Sequence, residues 1–406
     1  MAARFSPRRR LTDMNITCAS SRLKLTVTAI AASVALAALP FSATAVSAAD
    51  HRDAGDRPEV SQRHRAGTPG ASCTDSVNEV LPLRFANGAT GIYSLPPKAP
   101  SALVVMAHGY GNNSSAWQQH VLDARTHNAV AVAMNYRGLG PAPGYLGWPA
   151  KAGSEDLVAA AQFLVGQCRS ISRVVLVGIS MGGNMSGLAL AAGARRANNR
   201  PLFDYWVDIE GATNWNETWA GATALTPVSG YAKQAAKDIE HECGDKSPAA
   251  NPTCYQERTV TARIADIAKS GVRGIAVVHA VEDGLVPSDQ SREFVTAARA
   301  SGLRTDMYNV LRRDPNDYGQ TGQTTIISQG DPNADCTGGG SGAVSGFGSG
   351  VCDPMAGHGW EGSSTQVVIR TGLDLTWAFL KRNPANPRNR ECVVDAVSVP
   401  TPLCVG

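Results

Sequence analysis

The sequence carries little charge and few aromatic residues: of its 406 residues, 17% are Asp, Glu, Lys or Arg and 6% are Phe, Trp or Tyr. After Arg10 no basic run exceeds two residues, which excludes the basic stripe of a nucleic-acid-binding surface. The net charge of +3 is itself uneven. Residues 1–49 hold six Lys/Arg against Asp13 alone, so the remainder is near −2. No C-x-x-C pair occurs and no histidine cluster accompanies the cysteines, so zinc is not expected. The apolar stretch Leu25 to Leu39 is 15 residues long, short of the ~20 that a membrane-spanning helix needs.

That stretch follows Arg22 and Lys24 and precedes Ala45-Val46-Ser47-Ala48-Ala49. A basic segment, a short apolar run and small residues together describe a secretory signal peptide over 1–49. Met14 as the true start gives it an ordinary length. Residues 50–72, rich in Arg, Asp, Gly and Pro, are expected to be a disordered leader. Of the nine cysteines, Cys18 leaves with the signal, and an even number remains. In an exported chain that reads as a disulfide framework. Proximity pairs Cys243 with Cys254, Cys336 with Cys352 and Cys392 with Cys404, which leaves Cys73 with Cys168.

The chain is 43% hydrophobic, and residues 73–406 can build one large domain with a sizeable core. Val80 to Phe85 and Thr90 to Leu95, separated by Asn87-Gly88, read as an edge hairpin. Strands follow at 103–107, 130–135, 174–178, 205–209, 275–279 and 306–311, with helical stretches at 155–167, 181–197 and 288–300 between them. This alternation specifies an α/β fold with a doubly wound, mostly parallel sheet. Two intervals exceed ordinary connections: 212–262, and the Gly-rich 312–357.

The chemistry centres on residues 174–183, Val-Val-Leu-Val-Gly-Ile-Ser-Met-Gly-Gly. G-x-S-x-G between a strand and a helix is a nucleophile elbow, and it lifts the Ser180 hydroxyl clear of the sheet. Glycines two residues either side admit the sharp turn. Asp283 follows the strand 275–279, where open α/β sheets place their sites, with Glu282 as the alternative acid. His358, in Ala356-Gly-His-Gly-Trp360, lies in a loop before a final helix at about 365–380. It is the candidate base.

With Ser180, Asp283 and His358 in that order, and Leu103-Val-Val-Met-Ala-His-Gly-Tyr-Gly111 running from a strand into His-Gly, the sequence resembles the α/β-hydrolase superfamily over about residues 79–382. The resemblance implies an α/β-hydrolase fold with a small cap over the site at about 212–262. It also implies a Ser180–His358–Asp283 triad and an oxyanion hole from the N–H groups of Tyr110 and Met181. His108 then organises its loop. Trp215 and Trp219 are either substrate-binding residues or the apolar stripe that docks the cap. A Cys336–Cys352 bridge would shorten the loop ahead of His358. Asp314, Asp317, Asp331 and Asp335 read as turn residues, and no metal or cofactor is expected. The activity so implied is a secreted serine hydrolase acting on carboxylic esters. A prolyl-oligopeptidase-like or tripeptidyl-type exopeptidase is the alternative, with Glu217, Asp238, Glu240 and Glu242 of the cap either reading a free amino terminus or simply solvated. Fold alone does not fix function, so a non-catalytic binding protein remains the third reading.

Overall fold

The computed structural model describes residues 59–60, 73–139, 147–227, 230–281, 283, 285–311, 358–363, 366–395 and 399–405. The signal peptide, Glu282, the Cys336–Cys352 pair and the four loop aspartates lie outside them, as does all of the expected leader except 59–60.

Runs of β-branched and small aliphatic residues form the central strands: β4 (Ala102–Ala107), β5 (Ala129–Asn135), β6 (Arg173–Ile179), β7 (Tyr205–Ile209) and β8 (Gly274–Ala280). They are buried along nearly their whole length, because helices cover both faces. Side chains alternate between two cores. Leu103, Val105, Val174, Leu176 and Trp206 enter one; Val104, Met106, Val175, Val177 and Val207 enter the other. α2 (Ala150–Gln167) and α3 (Met181–Ala191) pack in the first core, while α1 (Gln118–Asp123) and α9 (Val367–Leu380) pack in the second.

Three strands precede these: β1 (Glu59–Val60), β2 (Leu81–Arg84) and β3 (Thr90–Ser94). β9 (Thr305–Leu311), β10 (Glu391–Asp395) and β11 (Val399–Val405) follow. The described strands make one sheet in the order β1-β2-β3-β5-β4-β6-β7-β8-β9-β10-β11. It is parallel from β5 to β10 and antiparallel at both edges. The chain leaves β4 toward β5 on one side and then crosses to β6 on the other. The C-terminal ends of β4 and β6 therefore form the crevice where such sheets bind ligands.

Several features depart from the sequence reading: α2 begins at Ala150 rather than 155, and β1 pairs with β2 from within the expected disordered leader. α3 stops at Ala191, short of 197, where Gly193 takes a left-handed conformation (φ 63) and ends the helix. The final hairpin β10–β11 is also new. Pro400 and Pro402 mask its strand character, but β11 is an edge strand and tolerates them. Cys392 and Cys404 face each other across this hairpin and are bonded. Cys73–Cys168 and Cys243–Cys254 are bonded as well, so each expected pair among the described residues is formed. No described helix is long and apolar enough to cross a membrane.

Between β7 and β8 lie α4 (Trp215–Leu225), α5 (Gly230–Glu242) and α6 (Pro252–Arg258), then α7 (Ile264–Ser270). The first three occupy the expected cap interval, and Cys243–Cys254 joins the end of α5 to α6. α8 (Ser288–Ala300) leads from the Asp283 loop to β9.

Candidate active site

Ser180 stands between β6 and α3 with φ 54 and ψ −122, a left-handed conformation that costs a non-glycine residue about 1–3 kcal/mol. The surroundings hold it there. Its N–H donates to the Ile209 carbonyl (3.0 Å), and its own carbonyl accepts from Gly183, Asn184 and Ala212. A Cβ on Gly178 would meet the Gly182 carbonyl oxygen at 2.2 Å, and one on Gly182 would meet that of Ala107 at 2.2 Å. Both positions therefore require glycine. Met181 is the first residue of α3, and its amide is one of the first-turn N–H groups that have no acceptor within the helix.

Asp283 and His358 meet. His358 Nδ1 donates to Asp283 Oδ2 at 2.8 Å, and both side chains are buried. The other oxygen, Oδ1, accepts the N–H groups of Leu285 (2.8 Å) and Val286 (2.9 Å), which locks the carboxylate plane. Burial works against both charges, but their mutual attraction wins. Asp283 is held below the usual carboxylate range with help from His279, and His358 is carried up to about 9.

Three residues that sequence reasoning left unassigned complete the surroundings. His279 on β8 approaches the Val286 carbonyl (2.8 Å) and Asp283 Oδ2 (3.3 Å) with Nε2, while Nδ1 faces Ser291 Oγ at 2.7 Å. A carbonyl can only accept, so Nε2 carries the proton and Nδ1 accepts from the serine hydroxyl. Glu210, the residue after β7, sits at φ 50. Its Oε2 accepts the Gly359 N–H (2.6 Å), its Oε1 accepts the Ala280 N–H (3.1 Å), and Oε2 lies 3.7 Å from His358 Nδ1. Burial and the neighbouring Asp283 charge raise it to about 7. Glu361, also buried, accepts the Gly109 N–H at 2.9 Å and so ties the histidine loop to the loop after β4. Glu210, Asp283 and His358 bring ligand-type atoms within 4.8 Å of one another. The bonds just given already engage those atoms with each other and with backbone.

In the loop after β4, His108 is buried, stacks on Tyr136 (4.3 Å between rings), and donates from Nδ1 to the Gly109 carbonyl (2.8 Å). Burial lowers its pKa to about 4, so it is neutral at pH 7. Tyr110 reaches into the cap: its hydroxyl donates to Asp238 Oδ2 on α5 at 2.5 Å, and Gln234 holds the other oxygen at 2.8 Å.

A cavity of about 280 Å³ opens beside Ser180, between Tyr110, α4, α5 and the segment Leu285–Pro287. Trp215 and Trp219 do not line it. Trp215 is fully buried edge-on against Trp148, and Trp219 donates to Glu240 (2.9 Å), so this side of α4 packs the cap and another side faces the cavity. Of the four cap acids, Asp238 and Glu240 are engaged as described. Glu242 accepts from Arg258 (3.1 Å) and from the Lys151 N–H (3.0 Å). Glu217 lines the cavity.

Residues 104–371 match the Alpha/beta hydrolase family, and the chain belongs to it. Among solved structures it is similar to an acylaminoacyl peptidase of Pyrococcus horikoshii, at 17% identity over 55% of this chain and 34% of that one, with a TM-score of 0.41. It is also similar to a puromycin-hydrolyzing peptidase of Mycobacterium tuberculosis (16%, 74% and 38%, TM-score 0.45). A thermophilic esterase of Thermogutta terrifontis is a third (14%, 56% and 79%, TM-score 0.38). The chain thus spans about a third of the length of those two peptidases. No curated protein matches its sequence.

Proposed function

We propose that the protein is a secreted serine hydrolase that cleaves carboxylic esters. The observation that carries this is the buried 2.8 Å contact between His358 Nδ1 and Asp283 Oδ2. Gly109 links it to the strained Ser180 elbow: its N–H donates to Glu361 of the histidine loop, and a Cβ on it would stand 3.5 Å from Ser180 Cβ. Ser180 Oγ attacks the ester carbonyl. His358, through Nε2, takes the hydroxyl proton and passes it to the departing alcohol, leaving an acyl-enzyme. Asp283 keeps the imidazole in the tautomer with Nδ1 protonated and stabilises the cation that forms. The Tyr110 and Met181 N–H groups receive the negative charge on the tetrahedral oxygen. Water then repeats the sequence and releases the acid. Three disulfides among the described residues support export, since such bonds persist in oxidising compartments.

Esters are favoured over peptides by the cap acids. A free amino terminus needs an unengaged carboxylate near the nucleophile, and Asp238, Glu240 and Glu242 are each bonded within the protein. Glu217 is the acid that keeps the exopeptidase reading open. The deciding experiment sets p-nitrophenyl esters beside aminoacyl-p-nitroanilides with purified mature protein. Ester turnover alone supports the proposal; anilide turnover at a comparable rate replaces it with the peptidase.

A further inference from the structure

The cavity beside Ser180 differs in character from the hydrogen-bonded surroundings of His358. Its walls are mostly apolar: the aromatic rings of Tyr110, Trp148 and Tyr231 join Leu225 and small residues of α4 and α5, and Glu217 is the one acid among them. His358 is not among the residues that line it. That asymmetry sorts the two halves of an ester. The departing alcohol oxygen must take its proton from His358, so the alcohol leaves on the histidine side. The group lying along the cap is then the acyl chain.

Gly221 stands in the middle of α4, where glycine is less favourable than any residue except proline. A Cβ placed on it meets nothing within 4 Å, so no neighbour requires the glycine there. Gly221 is exposed as well as lining the cavity, so what its missing side chain leaves is open space at the cavity's rim. For scale, an apolar cavity of ~150 Å³ takes up benzene, and pockets that enclose drug-sized ligands begin near ~300 Å³. The volume here, about 280 Å³, lies between these.

Resting on the esterase reading above, we propose that this cavity is the acyl-binding site for an apolar acyl group between benzoyl size and about eight carbons, with Gly221 setting the length limit. Each methylene buried in it adds about fourfold to kcat/KM until the space is filled. Leucine at position 221 occupies the outer part of that space and also suits a helix better than glycine.

The test compares kcat/KM for p-nitrophenyl acetate, butyrate, hexanoate and octanoate in the wild type, Gly221→Leu and Leu225→Ala. Thermal melts of the variants confirm that they are folded. In the wild type the octanoate-to-acetate ratio exceeds one. Gly221→Leu lowers that ratio by about tenfold or more, the scale of discrimination that a methylene or two gives in an apolar pocket. Leu225→Ala shifts the preference toward longer chains. An unchanged ratio in folded Gly221→Leu overturns the proposal. So does a wild type indifferent to acyl length but sensitive to the size of the alcohol, because the cavity would then hold the other half of the ester. A wild type that turns over no ester at all overturns the esterase reading, and this assignment with it.

Discussion

Glu210 Oε2 accepts the N–H of Gly359 at 2.6 Å, fastening the residue after His358 to the C-terminal end of β7. The same oxygen lies 3.7 Å from His358 Nδ1, so Glu210 both places the imidazole and adds negative charge beside it. Two variants separate these roles. Glu210→Gln keeps an acceptor for Gly359 but removes the charge and the acceptor for the Ala280 N–H; Glu210→Ala removes all three. His358 acts as a base only when neutral, and its pKa is raised to about 9, so kcat/KM should climb between pH 7 and pH 9. Glu210→Gln should move that limb to lower pH. Glu210→Ala should also reduce kcat by about a hundredfold, the scale of an ångström's misplacement. The stabilising effect of the His358–Asp283 pair runs the opposite way. A histidine whose folded pKa lies above its unfolded value contributes fully below about pH 6.5 and loses that contribution as pH rises through about 9. Rate profiles and melting temperatures over this window check both signs, and a rate limb left in place by Glu210→Gln would remove the electrostatic role.

Ser180→Ala should fold and lose nearly all turnover, since no other group forms the acyl-enzyme. A fluorophosphonate should label the wild type at Ser180 and not the variant. Asp283→Asn should lower kcat by about a thousandfold or more, because the amide favours the wrong imidazole tautomer. Glu282→Gln should be mild. A reversed order of these two would move the acid to position 282.

Glu361 joins the loop of the candidate base to the loop of the candidate oxyanion hole through the Gly109 N–H. Its removal should therefore impair kcat more than KM. Glu361→Ala is expected to lower kcat by about ten- to a hundredfold, and Glu361→Gln, which still offers a carbonyl oxygen to Gly109, should recover most of the loss. Together with the Glu210 contact and the bond from the Trp360 N–H to Gln366 (2.6 Å), this fastens the His358 loop at Gly359, Trp360 and Glu361. Serine at both Cys336 and Cys352 should accordingly cost less turnover than the length of the preceding loop alone suggests. Steady-state kinetics of the three variants measure this.

Tyr110→Phe removes the hydroxyl that donates to Asp238 and leaves that carboxylate to Gln234. A hydrogen bond to a charged group contributes about 1.5–3 kcal/mol. The variant should show faster amide exchange in α5 and a raised KM, since α5 forms one wall of the cavity. Unchanged exchange in α5 would show that the cap is held by Trp148, Trp215 and the Cys243–Cys254 bond instead.

Local sequence was enough for everything whose signal is local. Aliphatic runs of five to seven residues mark the central strands to within a residue, because burial on both faces demands apolar side chains throughout. The Gly178–Gly182 spacing marks the elbow, because backbone passes within 2.2 Å of where their side chains would be. Asp283 and His358, which the fold brings to 2.8 Å of each other, are readable as candidate site residues from their places after a strand and before a helix, and neighbouring cysteines pair across short loops. The tertiary structure alone decides what comes together from a distance. Glu361 reaches Gly109 across 252 positions and Glu210 reaches Gly359 across 149. In the sequence each looks like any surface carboxylate, since nothing in its own neighbourhood shows that folding will bury it against another loop's N–H. The tryptophans of α4 illustrate the same limit. Helical periodicity tells that Trp215 and Trp219 share a face, but only the packing of Trp148 and Glu240 decides that this face docks the cap and that Gly221 is left to border the cavity.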